Sequence, residues 1–487
     1  MQFLLDAAYP NYRYYRKTVD GKVWISSHNL ERRCTNLGLR GCLAPCDVQQ
    51  QKKVVGVIFY LIIFLTFGIY LIFDTSDDRI RLMPLAGLFT FLLLGWLFCK
   101  YPEHIKWRPI LWGLILQFLF GLLTIRWDVG RNIFKCIGNK TTTFLSYATD
   151  GAAFVYGDLL VYKEAVFAFQ ALSTIYFLGF VINLLYHYGI MQKIIVTLGE
   201  LLQTILGTTI CESVNSAANI FLGMSEAPLL LKPYLEDLTA SEIHSIMTSG
   251  FATVSGTVLA AYISFGASAS HLITSSVMSA PAALCYSKLL LPEVEKTKAT
   301  RETIQLLKSE HTSALDAASK GASVALEMVL GVCANLIAFI SMVYFINGVL
   351  AWIGGLVGYD GDSTWSIEII VGYIFMPVSF LMGVPWDECN LVGKLIGIKT
   401  VINEFAAFKE LGKMDLRPRT KVIATYAICG FSNPGSIGIM ISALSVLMPK
   451  KRDVITSLVF RAFIGGEIVC FLTACIAALV IPDKLLL

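Results

Sequence analysis

The stretch LGTTICESVNSAANIFLGMSEAPLLLKPYL at residues 206–235, with the shorter IKTVINEFAAF at 398–408, decides how this chain is read. Both place amides, hydroxyls and carboxylates inside a sequence that is otherwise apolar. An ionisable group at membrane depth costs about 3 kcal/mol or more unless it is paired or hydrated, so such clusters mark functional sites. The function expected of them is transport.

The surrounding composition fixes the class. Of 487 residues, 55% are hydrophobic, 12% aromatic and 15% charged, and the mean hydropathy is +0.65. These values describe a polytopic membrane protein, all-α by the length of its apolar runs. The net charge of +4 is too small to suggest a nucleic-acid partner. Residues 1–53 are polar and carry Tyr, Arg and Lys where a signal peptide would have an apolar core, so the first span is expected to serve as the insertion signal.

Nothing in the chain points to an enzyme. Cys99, Cys211, Cys285, Cys333, Cys429, Cys470 and Cys475 lie singly in apolar segments, as small hydrophobes. Cys34, Cys42 and Cys46 cluster, but no fourth ligand has a fitting spacing. The histidines form no HExxH pair, and GFSNP at 430–434 lacks the closing glycine of a GxSxG elbow. Glu327, Glu368 and Glu467 lie in or beside apolar runs and are read as helix-pairing partners.

Apolar runs at 54–73, 82–98, 109–125 and 165–189 are each near the length of a membrane crossing. Lys52 and Lys53 precede the first, Asp74, Asp77 and Asp78 follow it, and Lys100, Lys106 and Arg108 come one crossing later, which puts the N terminus in the cytoplasm. The stretch 126–164 then lies outside, with a glycosylation sequon at Asn139-Lys140-Thr141. Beyond residue 190 the segments become shorter and more polar. The expected elements are an interfacial helix at 190–206, a broken segment at 207–234, a helix at 241–266 with TVSGT in its middle, and an apolar helix at 269–291. A charged linker with a surface helix fills 292–320. Runs at 322–356 and 365–384, a second broken segment at 390–410, a helix at 416–446 interrupted by SNPGS, and a last span at 455–481 complete the chain.

The two halves repeat. TVSGTV begins 27 residues after Glu226 (253 − 226), and FSNPGS begins 27 residues after Glu404 (431 − 404). An acid near the tip of a hairpin, followed by a span unwound at its centre, is the arrangement of discontinuous helices in secondary transporters, where free N–H and C=O groups meet a polar solute and a cation.

With these motifs in view, GTTICESVNSAANIFLGMSEAPLLLKPYL, SEIHSIMTSGFATVSGTVLAAYISFG, SASHLITSSVMSAPAALCYSKLLLPEVEKTK, GIKTVINEFAAF and YAICGFSNPGSIGIM resemble the concentrative (cation-coupled) nucleoside transporters over roughly residues 82–481. The resemblance implies a scaffold and an elevator-type transport domain with two re-entrant hairpins and two unwound transmembrane helices. It also implies a homotrimer in the lipid of the plasma membrane, driven by sodium as co-transported ligand, with no other cofactor. Its domain boundaries would be a cytoplasmic segment at 1–53, mainly scaffold spans at 54–189, a first transport repeat at 190–291, a linker at 292–321, scaffold helices at 322–384 and a second transport repeat at 385–481.

Carried over residue by residue, the resemblance puts sodium on Asn219, the Leu222 carbonyl, Thr253 and the Val254 carbonyl. These are hard oxygen donors that suit such a cation. The plainer reading of Asn219 and Thr253 is a polar pair joining two helices. For the nucleoside it implies Gly223, Met224, Ser225, Glu226, Thr257 and Val258 from the first half, and Glu404, Phe431, Asn433 and Ser436 from the second. Glu226 and Ser225 suit a base edge, Glu404, Asn433 and Ser436 suit ribose hydroxyls, and Val258 and Phe431 suit apolar faces. The residues Gly223, Met224, Thr257 and Val258 resemble the purine-preferring pattern, with uridine also accepted. Two departures stand out. Residues 1–53 hold no run long enough to be one of the extra N-terminal spans of vertebrate members, and Pro434 stands where the family has an apolar residue, an expected disturbance of Asn433 and Ser436. Proton coupling through Glu226 or Glu404, or a passive nucleoside channel, remain the alternatives.

Overall fold

The computed structural model describes residues 65–75, 79–164, 166–256, 258–297, 313–358 and 365–481. The N-terminal segment 1–53 with its three cysteines, most of the first span, the middle of the charged linker, and Thr257 lie outside the described residues. The chain divides into two units, Met1–Asp77 and Asp78–Leu487. The described part of the first is one apolar helix, α1 (Leu65–Asp74).

The second unit opens with α2 (Pro84–Leu97) and α3 (Trp107–Gly121), which runs on through a wide turn at Leu122–Arg126. Next come α4 (Asp128–Tyr156), α5 (Phe167–Gln170), α6 (Ser173–His187) and α7 (Ile190–Leu206). The first repeat follows as α8 (Ile210–Ala218), a tight helical arm at Ala227–Asp237, α9 (Ala240–Ala252), α10 (Leu259–Ser264) and α11 (Ala269–Leu290). Helices α12 (Ala314–Leu356) and α13 (Ile367–Leu381) lead to the second repeat, α14 (Trp386–Val401), α15 (Glu404–Lys413), α16 (Pro418–Ile428), α17 (Pro434–Leu447) and α18 (Arg452–Val480). No strand occurs among the described residues.

Among the described residues, four helical stretches are long and apolar enough to cross a membrane: Trp107–Arg126, Phe167–His187, Ala314–Leu356 and Pro449–Val480. Several other expected crossings are made of pieces, because the polar clusters interrupt them. Most of the stretch 126–164 is the 29-residue amphipathic α4, and Asn139 sits exposed on that helix. The end of the linker is helical, since residues 314–321 already belong to α12, whose start is set by Ser313 capping the Asp316 amide. At 43 residues, α12 is about 65 Å long at 1.5 Å per residue, well beyond the hydrocarbon core. It crosses α6 where Gly179 and Gly321 meet backbone to backbone; a Cβ on Gly321 would lie 2.2 Å from the Gly179 carbonyl oxygen. Small residues allow such close crossings in membranes.

The core of the second unit is α18. Residues 469–480 of this helix are buried on every side, as expected of a helix apolar all round. Both unwound segments back onto it. A Cβ on Gly466 would lie 2.4 Å from Phe251 Cβ, and one on Gly430 would lie 2.6 Å from Cys470 Sγ, so the breaks after α9 and α16 approach α18 as closely as bare backbone permits. The carbonyls freed by the breaks find donors in the other break and on α18. Ser432 Oγ donates to the Phe251 carbonyl at 3.1 Å, and Cys470 Sγ to the Cys429 carbonyl at 3.1 Å. A break left without such partners would be costly in a dry core.

Candidate solute and cation site

Hairpin 1 starts with a capping box, in which the Thr209 amide donates to Glu212 Oε1 at 2.7 Å. The other Glu212 oxygen meets Lys288 Nζ of α11 at 2.7 Å, tying the arm to the last helix of its repeat. At the tip, residues 219–226 turn tightly: the Leu222 amide donates to the Ala218 carbonyl at 2.8 Å and the Glu226 amide to the Gly223 carbonyl at 3.0 Å. The Glu226 carboxylate folds back to accept from the Gly223 amide at 3.2 Å.

The unwound segment 253–258 docks on this tip. The Gly256 amide donates to the Phe221 carbonyl at 3.1 Å, and a Cβ on Gly256 would stand 2.8 Å from that same oxygen, so only glycine fits without displacement. Gly223 faces Ser255 across the gap. The four expected cation ligands lie on the tip and the break that this contact joins, and Asn219, Leu222, Thr253 and Val254 are all at most 4% exposed. Thr253 Oγ1 donates to the Ser249 carbonyl at 2.8 Å, which leaves its lone pairs available. Neither Oδ1 nor Nδ2 of Asn219 has a hydrogen-bond partner among the described residues. An amide buried so costs about 1–3 kcal/mol, and an idle buried amide oxygen is a donor that suits a hard monovalent cation. The plain helix-joining pair does not account for it, because Asn219 and Thr253 make no such bond.

In hairpin 2 the tip is built on side-chain bonds. Asn403 caps α15 through the Ala406 amide at 3.0 Å, putting Glu404 at the first helical position. Glu404 is 2% exposed and accepts from Asn433 Nδ2 at 2.6 Å, and Asn433 Oδ1 accepts from the Ser436 amide at 2.9 Å. Pro434 is thus the first residue of α17, directly after its cap. The expected disturbance is absent: proline's fixed φ suits that position and its missing N–H would have been an orphan there anyway. Phe431 and Ser436 are buried beside this pair, and Val258 is buried at the end of the first break.

The two halves meet through Met224. Both its Cβ and the tip of Met440 would lie 2.7 Å from a Cβ on Gly250, so Met224 is packed on α9 with α17 alongside. Ser225 and Glu226 are half-buried at the tip. Tyr262 stacks on Phe408 at 4.5 Å and lies beside Phe405 at 5.2 Å and the Glu404 carboxylate; nothing in the sequence marked it. Among the declined acids, Glu368 accepts from Asn347 Nδ2 at 2.9 Å, and Glu467 pairs with Lys399 in the core. Both are helix-pairing partners; the Glu327 side chain lies outside the described residues. Lys399 was readable as a lysine inside an apolar run, but its partner 68 residues away was not.

A scaffold of continuous helices around two hairpins and two broken helices defines a secondary carrier of the membrane. Residues 271–478 match the family model for the Na+ dependent nucleoside transporter C-terminus, residues 86–159 its N-terminus counterpart, and 168–269 a nucleoside recognition (gate) model. Solute carrier family 28 member 3 of Eptatretus stoutii is 42% identical over 91% of this chain and 67% of its own length. Sodium/nucleoside cotransporter 2 of Rattus norvegicus is 40% identical over 93% and 71%. The structure of CNTnw in an inward-facing substrate-bound state superposes with a TM-score of 0.78 at 33% identity, over 82% of this chain and 98% of that one. A doubly substituted CNTnw in an outward-facing state gives 0.79. The chain belongs to the concentrative, Na+-dependent nucleoside transporter family, and its relatives are named as transporters, not enzymes.

Proposed function

We propose that this protein is a sodium-driven nucleoside symporter that loads its cation at hairpin 1 and its ribose at hairpin 2. The observation that carries the reading is the pairing of a buried, unbonded Asn219 at one tip with a charge-assisted Glu404 to Asn433 bond at the other. Sodium would be held by Asn219, Thr253 and the carbonyls of Leu222 and Val254. The base would lie against Gly223, Met224, Ser225, Glu226, Thr257 and Val258, and Glu404, Asn433 and Ser436 would take the ribose hydroxyls, with Phe431 against an apolar face. Because the first tip bonds to the first break through Phe221 and Gly256, filling the cation cage stiffens the tip on which the base sits. That is a direct physical route to coupling.

The relatives' names, sodium/nucleoside cotransporter 2 among them, support nucleosides as the solute class. Within that class we assign a preference for purine nucleosides with uridine accepted, from Gly223, Met224, Thr257 and Val258. The transport domain would comprise 190–291 and 385–481, moving against scaffold spans at 54–189 and the helices 314–384. The apolar residues that α12 exposes, Ile337, Tyr344, Phe345 and Trp352 among them, suit a trimer of such scaffolds in the lipid of the plasma membrane. Uptake of labelled inosine, uridine and thymidine into vesicles, with sodium and proton gradients imposed separately, tests the whole reading. Inosine and uridine should accumulate under the sodium gradient alone. Accumulation without it would overturn sodium coupling, and thymidine taken up as well as inosine would overturn the purine preference.

A further inference from the structure

The repeat gives each residue of hairpin 1 an equivalent in hairpin 2, at an offset of 178 (404 − 226 and 431 − 253). Applied to the proposed cation ligands, Asn219 becomes Gly397 and Thr253 becomes Phe431, so both side-chain oxygen donors are gone from the second half. Asparagine has no room at the first of these positions, since a Cβ on Gly397 would stand 2.5 Å from Val371 Cγ1. Leu222 becomes Thr400 and Val254 becomes Ser432, which bring hydroxyls instead.

Between those two hydroxyls lies an ion pair. Lys399, one residue before Thr400, is wholly buried and pairs with Glu467 of α18. The other carboxylate oxygen of Glu467 is 3.5 Å from Thr400 Oγ1, and Ser432 is within hydrogen-bonding reach of the same group. We propose that the Lys399 ammonium is the resident cation of the second repeat, held by Glu467 between hairpin tip and unwound segment in the place that sodium takes in the first. This rests on reading Asn219, Leu222, Thr253 and Val254 as the sodium ligands.

The proposal gives the two repeats different cation chemistry. The first must recruit its positive charge from solution in each cycle, and the second carries one tethered to hairpin 2, five residues before Glu404. A buried lysine also sits where it neutralises the acids around the second tip whether or not solute is bound. Removing its charge leaves Glu467, Thr400 and Ser432, a set of hard oxygens suited to a small monovalent ion. A sodium ion should then enter where the ammonium was.

The test compares the full-length protein with Lys399→Met, Lys399→Met/Glu467→Gln and Asn219→Ala, by initial inosine uptake against sodium concentration. Sodium-dependent thermal stabilisation of the purified proteins is measured alongside, because its slope counts bound ions without needing turnover. Lys399→Met should steepen the sodium dependence by one ion, and adding Glu467→Gln should return it to the wild-type slope. An unchanged slope in Lys399→Met overturns the proposal. So does a Lys399→Met protein that fails to fold in sodium, with or without rescue by the double variant, since sodium then does not replace the ammonium. Asn219→Ala reports separately: an unaltered sodium response there would remove the first site, whatever Lys399 shows.

Discussion

The two hairpins occupy equivalent places in the repeat, yet their acids bond differently. Glu226 accepts from the Gly223 amide of its own tip at 3.2 Å, and Glu404 accepts from Asn433 Nδ2, on the unwound helix that follows, at 2.6 Å. The ion pairs behind them are reversed as well. In the first repeat the hairpin arm supplies the acid, Glu212, and the last helix the lysine, Lys288; in the second the arm supplies Lys399 and the last helix Glu467. Each repeat thus pins its hairpin to its own last helix through a buried pair, backed in the first by Glu293 at 3.5 Å from Lys288; in the second, removing one partner leaves a bare charge that costs about 3–5 kcal/mol. The difference teaches that the two repeats keep a pin between hairpin and last helix while exchanging which side carries the positive charge.

The largest effect should come from the bond that crosses between elements. Glu404→Gln keeps the shape but loses the charge-assisted acceptor, worth about 1.5–3 kcal/mol, so nucleoside uptake should fall by roughly 10- to 150-fold at subsaturating solute. Surface expression should be unchanged, which a labelled-surface assay reads. If uptake persists, hairpin 2 is not the ribose half and the comparison fails at its strongest point. Asn219→Ala should come next, acting through the cation: the sodium concentration for half-maximal uptake should rise by about tenfold, equivalent to about 1.4 kcal/mol, with the maximal rate recovered at high sodium. A loss of maximal rate without a sodium shift would return Asn219 to a structural role.

Much of this was legible in the chain. The 27-residue spacing from Glu226 and Glu404 located both breaks, and they fall at 253–258 and 429–433. It was legible because unwinding needs glycine, proline and hydroxyl residues where an apolar span would have none, a local signal. The helix α4 was not, since 29 residues with polar and apolar faces intermixed resemble a loop to a reader searching for apolar runs. Nor was the start of α12, where charged residues continue into the helix, or the pairing of Lys399 with Glu467, which exists only once the fold brings two side chains 68 residues apart within reach. The Met224 position shows the same limit: its reading as a base contact came from resemblance, and its packing against Gly250 came from the fold.

A smaller effect probes how the first break depends on its tip. Gly256→Ala brings a methyl to 2.8 Å from the Phe221 carbonyl oxygen, and overpacking of this kind costs about 1–3 kcal/mol. The apparent affinity for both sodium and nucleoside should weaken together, by about fivefold to tenfold, because the same contact serves both. Gly438→Ala, with nothing within 4 Å of its Cβ, is the control in the second repeat and should be silent. If Gly256→Ala weakens the nucleoside alone, the tip does not link cation to solute.

The smallest effect is expected at Pro434, and it sharpens the comparison most finely. The second broken helix restarts with a full cap, the Asn433 side chain on the Ser436 amide and proline at the first helical position, whereas Val258 restarts α10 with no side-chain cap. Pro434→Ala keeps the Asn433 cap and the bond to Glu404, and removes only the restriction proline places on the unfolded chain, worth about 0.4–1 kcal/mol. Uptake should therefore stay within about twofold of wild type and the thermal midpoint should drop by a few degrees at most. A large loss of uptake at unchanged stability would show that proline sets the angle of Asn433 toward Glu404. The second half would then be ordered by its backbone, where the first is ordered by its ion.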